Sequence, residues 1–218
     1  MSTQSTTKLI YGFDPLCGWC FAMAPTIKAL RANLGDQVRW EVACGGLVTG
    51  ARVEPIGRAS DYLKRGLAQV EMRSGMKAGQ AFVEGLLAEG SWVSRSEPGC
   101  RATLCVQQVH GGAAAVDFGS ALCVAFYQDG LKPDEPSTIK HVLEELGLDA
   151  SEVLSTWDTE AQKQSTQRAF ARATSQGVRS YPTLFIEKAG RRSTLLPGWA
   201  APESALEHIQ HHLRREDV

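Results

Sequence analysis

The sequence predicts an α/β chain whose strands lie near its two ends and whose middle is all helical. Three observations lead there. An apolar run, Leu9-Ile10-Tyr11-Gly12-Phe13, reads as a strand and passes through Cys17-Gly18-Trp19-Cys20 into a helix. Between about Pro55 and Gln176 there is no convincing strand run, only Ala- and Leu-rich stretches punctuated by Gly and Pro. Strand character returns with Thr183-Leu184-Phe185-Ile186, just past Tyr181-Pro182.

Taken in order, the first strand spans Lys8 to Phe13 and the first helix Gly18 to Asn33, with Gly35 as its stop. Pro25 lies inside that helix, where a missing N–H costs roughly 3 kcal/mol and a kink is expected. Val38-Arg39-Trp40-Glu41-Val42-Ala43 alternates apolar with polar as a second strand, and Gly45-Gly46 permits a close turn. Helices are expected over 59–73, 78–89, 98–111, 113–128, 137–147 and 151–175. In the fifth of these, Ile139, Val142, Leu143 and Leu146 form one apolar face behind a Ser137 cap. Thr183 to Glu187 and Arg192 to Leu196 read as a hairpin across Gly190, and Glu203 to Leu213 closes the chain as a helix. The expected division is 1–54 with 177–218 as the core and 55–176 as an inserted helical domain.

At 218 residues and 43% hydrophobic, the chain buries a substantial core without disulfide staples. A net charge of −1 gives no electrostatic reason to expect nucleic acid or an anionic membrane as partner. No apolar run approaches the roughly 20 residues that span a bilayer. The opening, Met1 to Lys8, is polar and lacks the features of a secretory signal, so the expected compartment is the cytoplasm.

Cys17 and Cys20 carry the chemistry. At a helix start the unpaired N–H groups and the macrodipole stabilise a thiolate over a thiol, so Cys17 is the expected exposed nucleophile. Cys20, one turn in, is more sheltered and placed to attack a mixed disulfide held on Cys17. Zinc uses the same spacing but needs further ligands. Cys100 and Cys105 are the other close pair, and five residues apart on a helix they point about 140° away from each other. The reading is therefore a redox dithiol with no metal. Cys44, Cys100, Cys105 and Cys123 read as small buried packing residues. His208, His211 and His212 read as a solvated last helical turn. Asp14 admits two readings, a group that tunes Cys17 or accepts a proton, and an ordinary turn residue before Pro15.

The two segments, Asp14-Pro15-Leu16-Cys17-Gly18-Trp19-Cys20 with Pro25 and Gly177 to Ile186 with Tyr181-Pro182, resemble the active site of the thioredoxin superfamily. The long interval between them is similar to the DsbA branch, and the dithiol segment to its predicted disulfide isomerases. The resemblance implies a thioredoxin-like fold with a mixed central sheet and a large helical insertion. It also implies a cis Tyr181-Pro182 bond facing the dithiol, whose backbone pairs with an extended substrate, and Tyr181 shaping the groove. Thioredoxins commonly bury a carboxylate six residues before the first cysteine; here that position is Tyr11, a departure from their proton transfer. Gly18-Trp19 supplies no charge between the cysteines, so the couple is expected to be intermediate to reducing, with Trp19 as an apolar lip.

The expected activity is thiol–disulfide exchange on protein or peptide disulfides, as reductase or isomerase. No cofactor is expected beyond the redox-active disulfide, recycled by a partner reductase or glutathione. Two other readings stand beside it. Kappa-class glutathione transferases and related isomerases share the core, though the first cysteine position there is typically serine. A non-catalytic adaptor that binds protein clients would need neither cysteine.

Overall fold

The computed structural model describes residues 7–215, so the first six residues of the polar opening Met1 to Lys8, which carries the compartment expectation, lie outside them. Strand β1 (Lys8–Phe13) pairs in parallel with β2 (Arg39–Cys44) and antiparallel with β5 (Thr183–Lys188), and β5 pairs antiparallel with β6 (Arg191–Leu196). The sheet order is β2-β1-β5-β6, a mixed sheet built from the two ends of the chain. Alternation along β1 explains its two-sided burial, because successive side chains leave a strand on opposite faces. Leu9, Tyr11 and Phe13 enter the main core, while Ile10 joins Ala43, Ala173, Val178 and Phe185 on the other face.

Helix α1 (Gly18–Leu34) runs through the exposed Pro25 and stops at Gly35, whose φ of 47° suits a residue without Cβ. Beyond β2 come a two-residue strand β3 (Glu54–Pro55), α2 (Ser60–Ser74), a π-helical segment Ala81–Leu86 leading into α3 (Leu87–Glu89), and β4 (Val93–Ser94). The β3–β4 ladder, Glu54 opposite Ser94 and Pro55 opposite Val93, corrects the expectation of a strand-free insertion. Two residues are too few for an alternating pattern to show.

Helix α4 (Glu97–Asp129) contains a break at Gly111 (φ 88°, ψ 168°), where the sequence reading separated two helices. It is followed by α5 (Pro136–Glu145), α6 (Ser151–Trp157), α7 (Glu160–Ser175) and, after the hairpin, α8 (Pro202–Arg215). Two further expectations are corrected. The span 151–175 is two helices, because the Thr159 hydroxyl accepts from the Gln162 N–H and starts α7 afresh. In α5 the first turn is set by Pro136 rather than by a Ser137 cap, and Leu146 falls past the helix end, 37% exposed, while Ile139, Val142 and Leu143 are fully buried.

Among the described residues α4 is the one helix long and apolar enough to cross a membrane. Half of its most apolar window is buried inside the protein, with Cys100, Leu104, Phe118, Leu122 and Phe126 in the same core as β1 and α1. Helix α4 thus packs on the sheet and α1 as the central element of the fold.

Candidate active site

The sheet topology brings the dithiol and the proline together. Gly12 on β1 stands opposite Thr183 on β5, so the turn leaving β1 and the segment entering β5 meet at one sheet end. Tyr181-Pro182 is cis. The Cys17 thiol donates to the Tyr181 carbonyl at 3.4 Å. Cys17 is the N-cap of α1 with extended backbone, and its carbonyl accepts from the Cys20 and Phe21 N–H groups at 2.9 and 3.1 Å.

The expected exposure of Cys17 is corrected: it is 6% exposed and Cys20 is fully buried. What remains open of Cys17 faces a cavity of about 720 Å³ that it lines with Gly18, Trp19, Tyr127 and Tyr181. Burial pushes the Cys20 thiol well above its ordinary range, and the neighbouring Cys17 adds to the shift. The deeper sulfur is a thiol at neutral pH.

Asp14 does more than turn the chain. It is completely buried; one carboxylate oxygen accepts from the Leu16 N–H (3.0 Å) and the Ser96 hydroxyl (2.8 Å). The other accepts from the Leu47 N–H (2.7 Å) and the Cys100 thiol (3.7 Å). Burial raises its pKa above the ordinary carboxyl value, opposed by those hydrogen bonds, with Leu47 first. The carboxylate ties the dithiol turn, the loop after β2 and the start of α4 into one floor. Ser96 extends the tie by accepting from the Val48 N–H at 2.8 Å.

Tyr181 is half-buried beside the dithiol; burial and then the Asp14 charge raise its pKa. Gly45 makes room for that ring, because a Cβ on it would come within 1.9 Å of the Tyr181 hydroxyl oxygen and the side chain would have to shift. Tyr11 is buried, its hydroxyl without a hydrogen-bond partner among the described residues, and burial followed by Cys20 raises its pKa well above the ordinary value. The phenol thus occupies the neighbourhood of the deeper sulfur without a carboxylate's acidity.

Several contributors have no local sequence signal. The Arg73 guanidinium lies 5.5 Å from the Trp19 ring, bringing a positive charge to the lip expected to be neutral. Trp199 stands 6.4 Å from Trp19, and its indole donates to the Ala22 carbonyl at 3.0 Å. The Tyr127 hydroxyl donates to the Leu16 carbonyl at 2.7 Å, pinning the dithiol turn from α4. These groups come from α2, α4 and the segment after β6, so only tertiary packing reveals them.

The remaining cysteines separate. Cys100 contacts Cys44, whose thiol faces the Cys100 carbonyl at 3.9 Å, and Cys123 faces the Asp14 carbonyl at 3.7 Å. Cys105 lies instead beside Thr156, 4.0 Å from its hydroxyl. Burial raises the pKa of Cys100, Cys105 and Cys123, which suits packing residues rather than nucleophiles.

The cytosolic disulfide reductase DsbM from Pseudomonas aeruginosa is 26% identical, with a TM-score of 0.78 over 95% of this chain and 98% of that one. The same reductase solved with GSH is 24% identical (TM-score 0.76; 95% and 99% covered). A disulfide isomerase candidate from Nitrosomonas europaea is 22% identical (TM-score 0.79; 96% and 98%). The fold also extends to 2-hydroxychromene-2-carboxylate isomerase at 18% identity (TM-score 0.58; 96% and 97%). The search of curated proteins gave no match. The profile of the DSBA-like thioredoxin domain matches residues 9–210, and the chain belongs to that family.

Proposed function

We propose that the protein is a thiol–disulfide oxidoreductase acting on the disulfides of protein or peptide substrates, as reductase or isomerase, with glutathione as its reductant. The observation that carries this reading is the Cys17 sulfur at a helix start, 3.4 Å from the Tyr181 carbonyl and open to a cavity. The GSH-bound structure of DsbM supports the choice of reductant.

The Cys17 thiolate attacks one sulfur of a substrate disulfide; that bond breaks, and the other substrate sulfur leaves as a thiolate. Cys20 then attacks Cys17 in the mixed disulfide, closing the Cys17–Cys20 bond and releasing the second substrate sulfur. The proton Cys20 gives up goes to a departing substrate thiolate. The other substrate thiolate takes its proton from water, so two substrate thiols form and the protein dithiol becomes one disulfide. The Tyr181 carbonyl, in the segment entering β5, is the proposed acceptor for an extended substrate backbone. The cytoplasm is the proposed compartment, with Cys44, Cys100, Cys105 and Cys123 as buried thiols.

Cys20→Ser tests the reading, because it stops the reaction at the mixed disulfide. Incubated with a disulfide-bonded peptide, this variant is expected to accumulate a covalent adduct on Cys17 that dithiothreitol releases. Absence of any adduct contradicts the proposed function. An adaptor, by contrast, would keep its client binding with both cysteines replaced.

A further inference from the structure

Three arginines enter the Cys17 cavity from three separate parts of the chain: Arg52 from the loop before β3, Arg65 from α2 and Arg179 from the segment ahead of the cis-proline. All three are exposed at its mouth, and among the described residues none forms an ion pair or side-chain hydrogen bond. Among the described residues no Asp or Glu lines the cavity. The chain as a whole carries a net charge of −1, so this concentration of positive charge is local. The arginines bound outside the cavity differ: Arg31 holds Asp117 at 3.1 Å, Arg95 holds Asp134 at 3.0 Å, and Arg192 holds Glu187 at 2.9 Å.

Unpaired guanidinium groups around a concave volume favour carboxylates, whose two oxygens match the guanidinium fork. They also raise the local concentration of anions, which speeds capture by roughly tenfold to a thousandfold at low salt. The cavity's about 720 Å³ is the size of a small-molecule site, within the usual range of about 300–1,000 Å³. Gly18, Gly45, Gly46 and Gly66 line it together with Trp19 and Tyr181.

Resting on the oxidoreductase reading, we propose that Arg52, Arg65 and Arg179 make the cavity selective for small peptide thiols that carry free carboxylates, of which glutathione is the probe. The thiolate of one such molecule attacks the Cys17 sulfur of the Cys17–Cys20 disulfide. The intramolecular S–S bond breaks, a new one joins Cys17 to the incoming sulfur, and Cys20 leaves and takes a proton. A second thiolate attacks the incoming sulfur of this mixed disulfide and frees Cys17. Two small thiols become one disulfide, and the protein regains its dithiol.

The test is the second-order rate constant for reducing the oxidised protein with glutathione and with its uncharged counterpart, 2-mercaptoethanol, in wild type and in Arg52→Gln/Arg65→Gln/Arg179→Gln. Corrected for thiolate fraction, the ratio of the two constants is expected to fall at least about tenfold in the triple variant. Added salt is expected to lower the wild-type ratio and leave that of the variant flat. A ratio unchanged by the substitutions overturns the proposal, as does a selective loss on a disulfide of an acidic peptide with glutathione unaffected. Single Gln variants with native circular dichroism replace the triple variant if it fails to fold. Failure of both thiols to reduce wild type contradicts the oxidoreductase reading instead.

Discussion

The floor and the rim of the Cys17 cavity are built on opposite principles. Below the dithiol, Asp14 is fully buried and its carboxylate accepts from four groups of the protein, Leu16, Leu47, Ser96 and Cys100. Around the mouth, Arg52, Arg65 and Arg179 are exposed and hold no partner among the described residues. A buried charge without partners is costly, so the floor satisfies its own groups and becomes rigid. Exposed charges cost little unpaired and stay available for a ligand. The nucleophile is thereby held by one region and supplied by the other.

The largest effect expected from breaking this arrangement is at the sulfur itself. Cys17→Ser removes the nucleophile and is expected to abolish reduction of a disulfide peptide, lowering the rate by at least about a thousandfold while the fold is kept. Next comes the floor. Asp14→Ala strands the Leu16 and Leu47 N–H groups and the Ser96 hydroxyl, and is expected to destabilise the protein by on the order of 3 kcal/mol in urea unfolding. Asp14→Asn, which keeps an acceptor, costs less and gives a pH signature. The folded-state pKa of Asp14 is raised, so the folded state binds the proton more tightly than the unfolded chain. Wild type therefore gains stability relative to Asp14→Asn as pH falls through the window just above the ordinary carboxyl value. It loses that gain as pH rises; a difference that moves the other way would show the carboxylate stabilised by its hydrogen bonds more than burial penalises it.

Cys20 gives a kinetic contrast between the two sulfurs. Because burial raises its pKa, the resolving step is limited by the thiolate fraction. Release of a mixed disulfide from Cys17 is expected to speed up about tenfold per pH unit between about pH 6 and 8, measured by quenched-flow mass analysis. A flat profile would place the deprotonation elsewhere. The smallest effect is expected at Tyr11. Its hydroxyl is buried without a hydrogen bond, so Tyr11→Phe is expected to leave stability within about 1 kcal/mol of wild type or to raise it. A loss of more than about 2 kcal/mol would reveal a hydrogen-bond partner for the phenol.

The chemistry-bearing part of the site was legible because local rules write it into short segments. The apolar run Leu9 to Phe13, the two cysteines at a helix start and Tyr181-Pro182 before a strand each follow from residues close in sequence. Asp14 was visible as a candidate, yet its buried role depends on Leu47 and Ser96, which only the packing of α4 against the sheet brings near. Arg73 above Trp19 and Tyr127 on the Leu16 carbonyl were hidden for the same reason. The boundaries missed in the insertion have local causes that compete. Thr159 is a helix start inside a continuous helical composition, and Leu146 continues the apolar period although α5 has ended at Glu145 and Gly147 turns the chain at φ 69°.

The most direct test of the account is an equilibrium titration of the Cys17–Cys20 couple against defined thiol–disulfide buffers. With no charged side chain between the cysteines, the account predicts one two-electron transition nearer the about −270 mV of thioredoxin than the about −120 mV of DsbA. No transition in wild type, or one that persists in Cys17→Ser, would contradict the assignment of this dithiol as the redox centre.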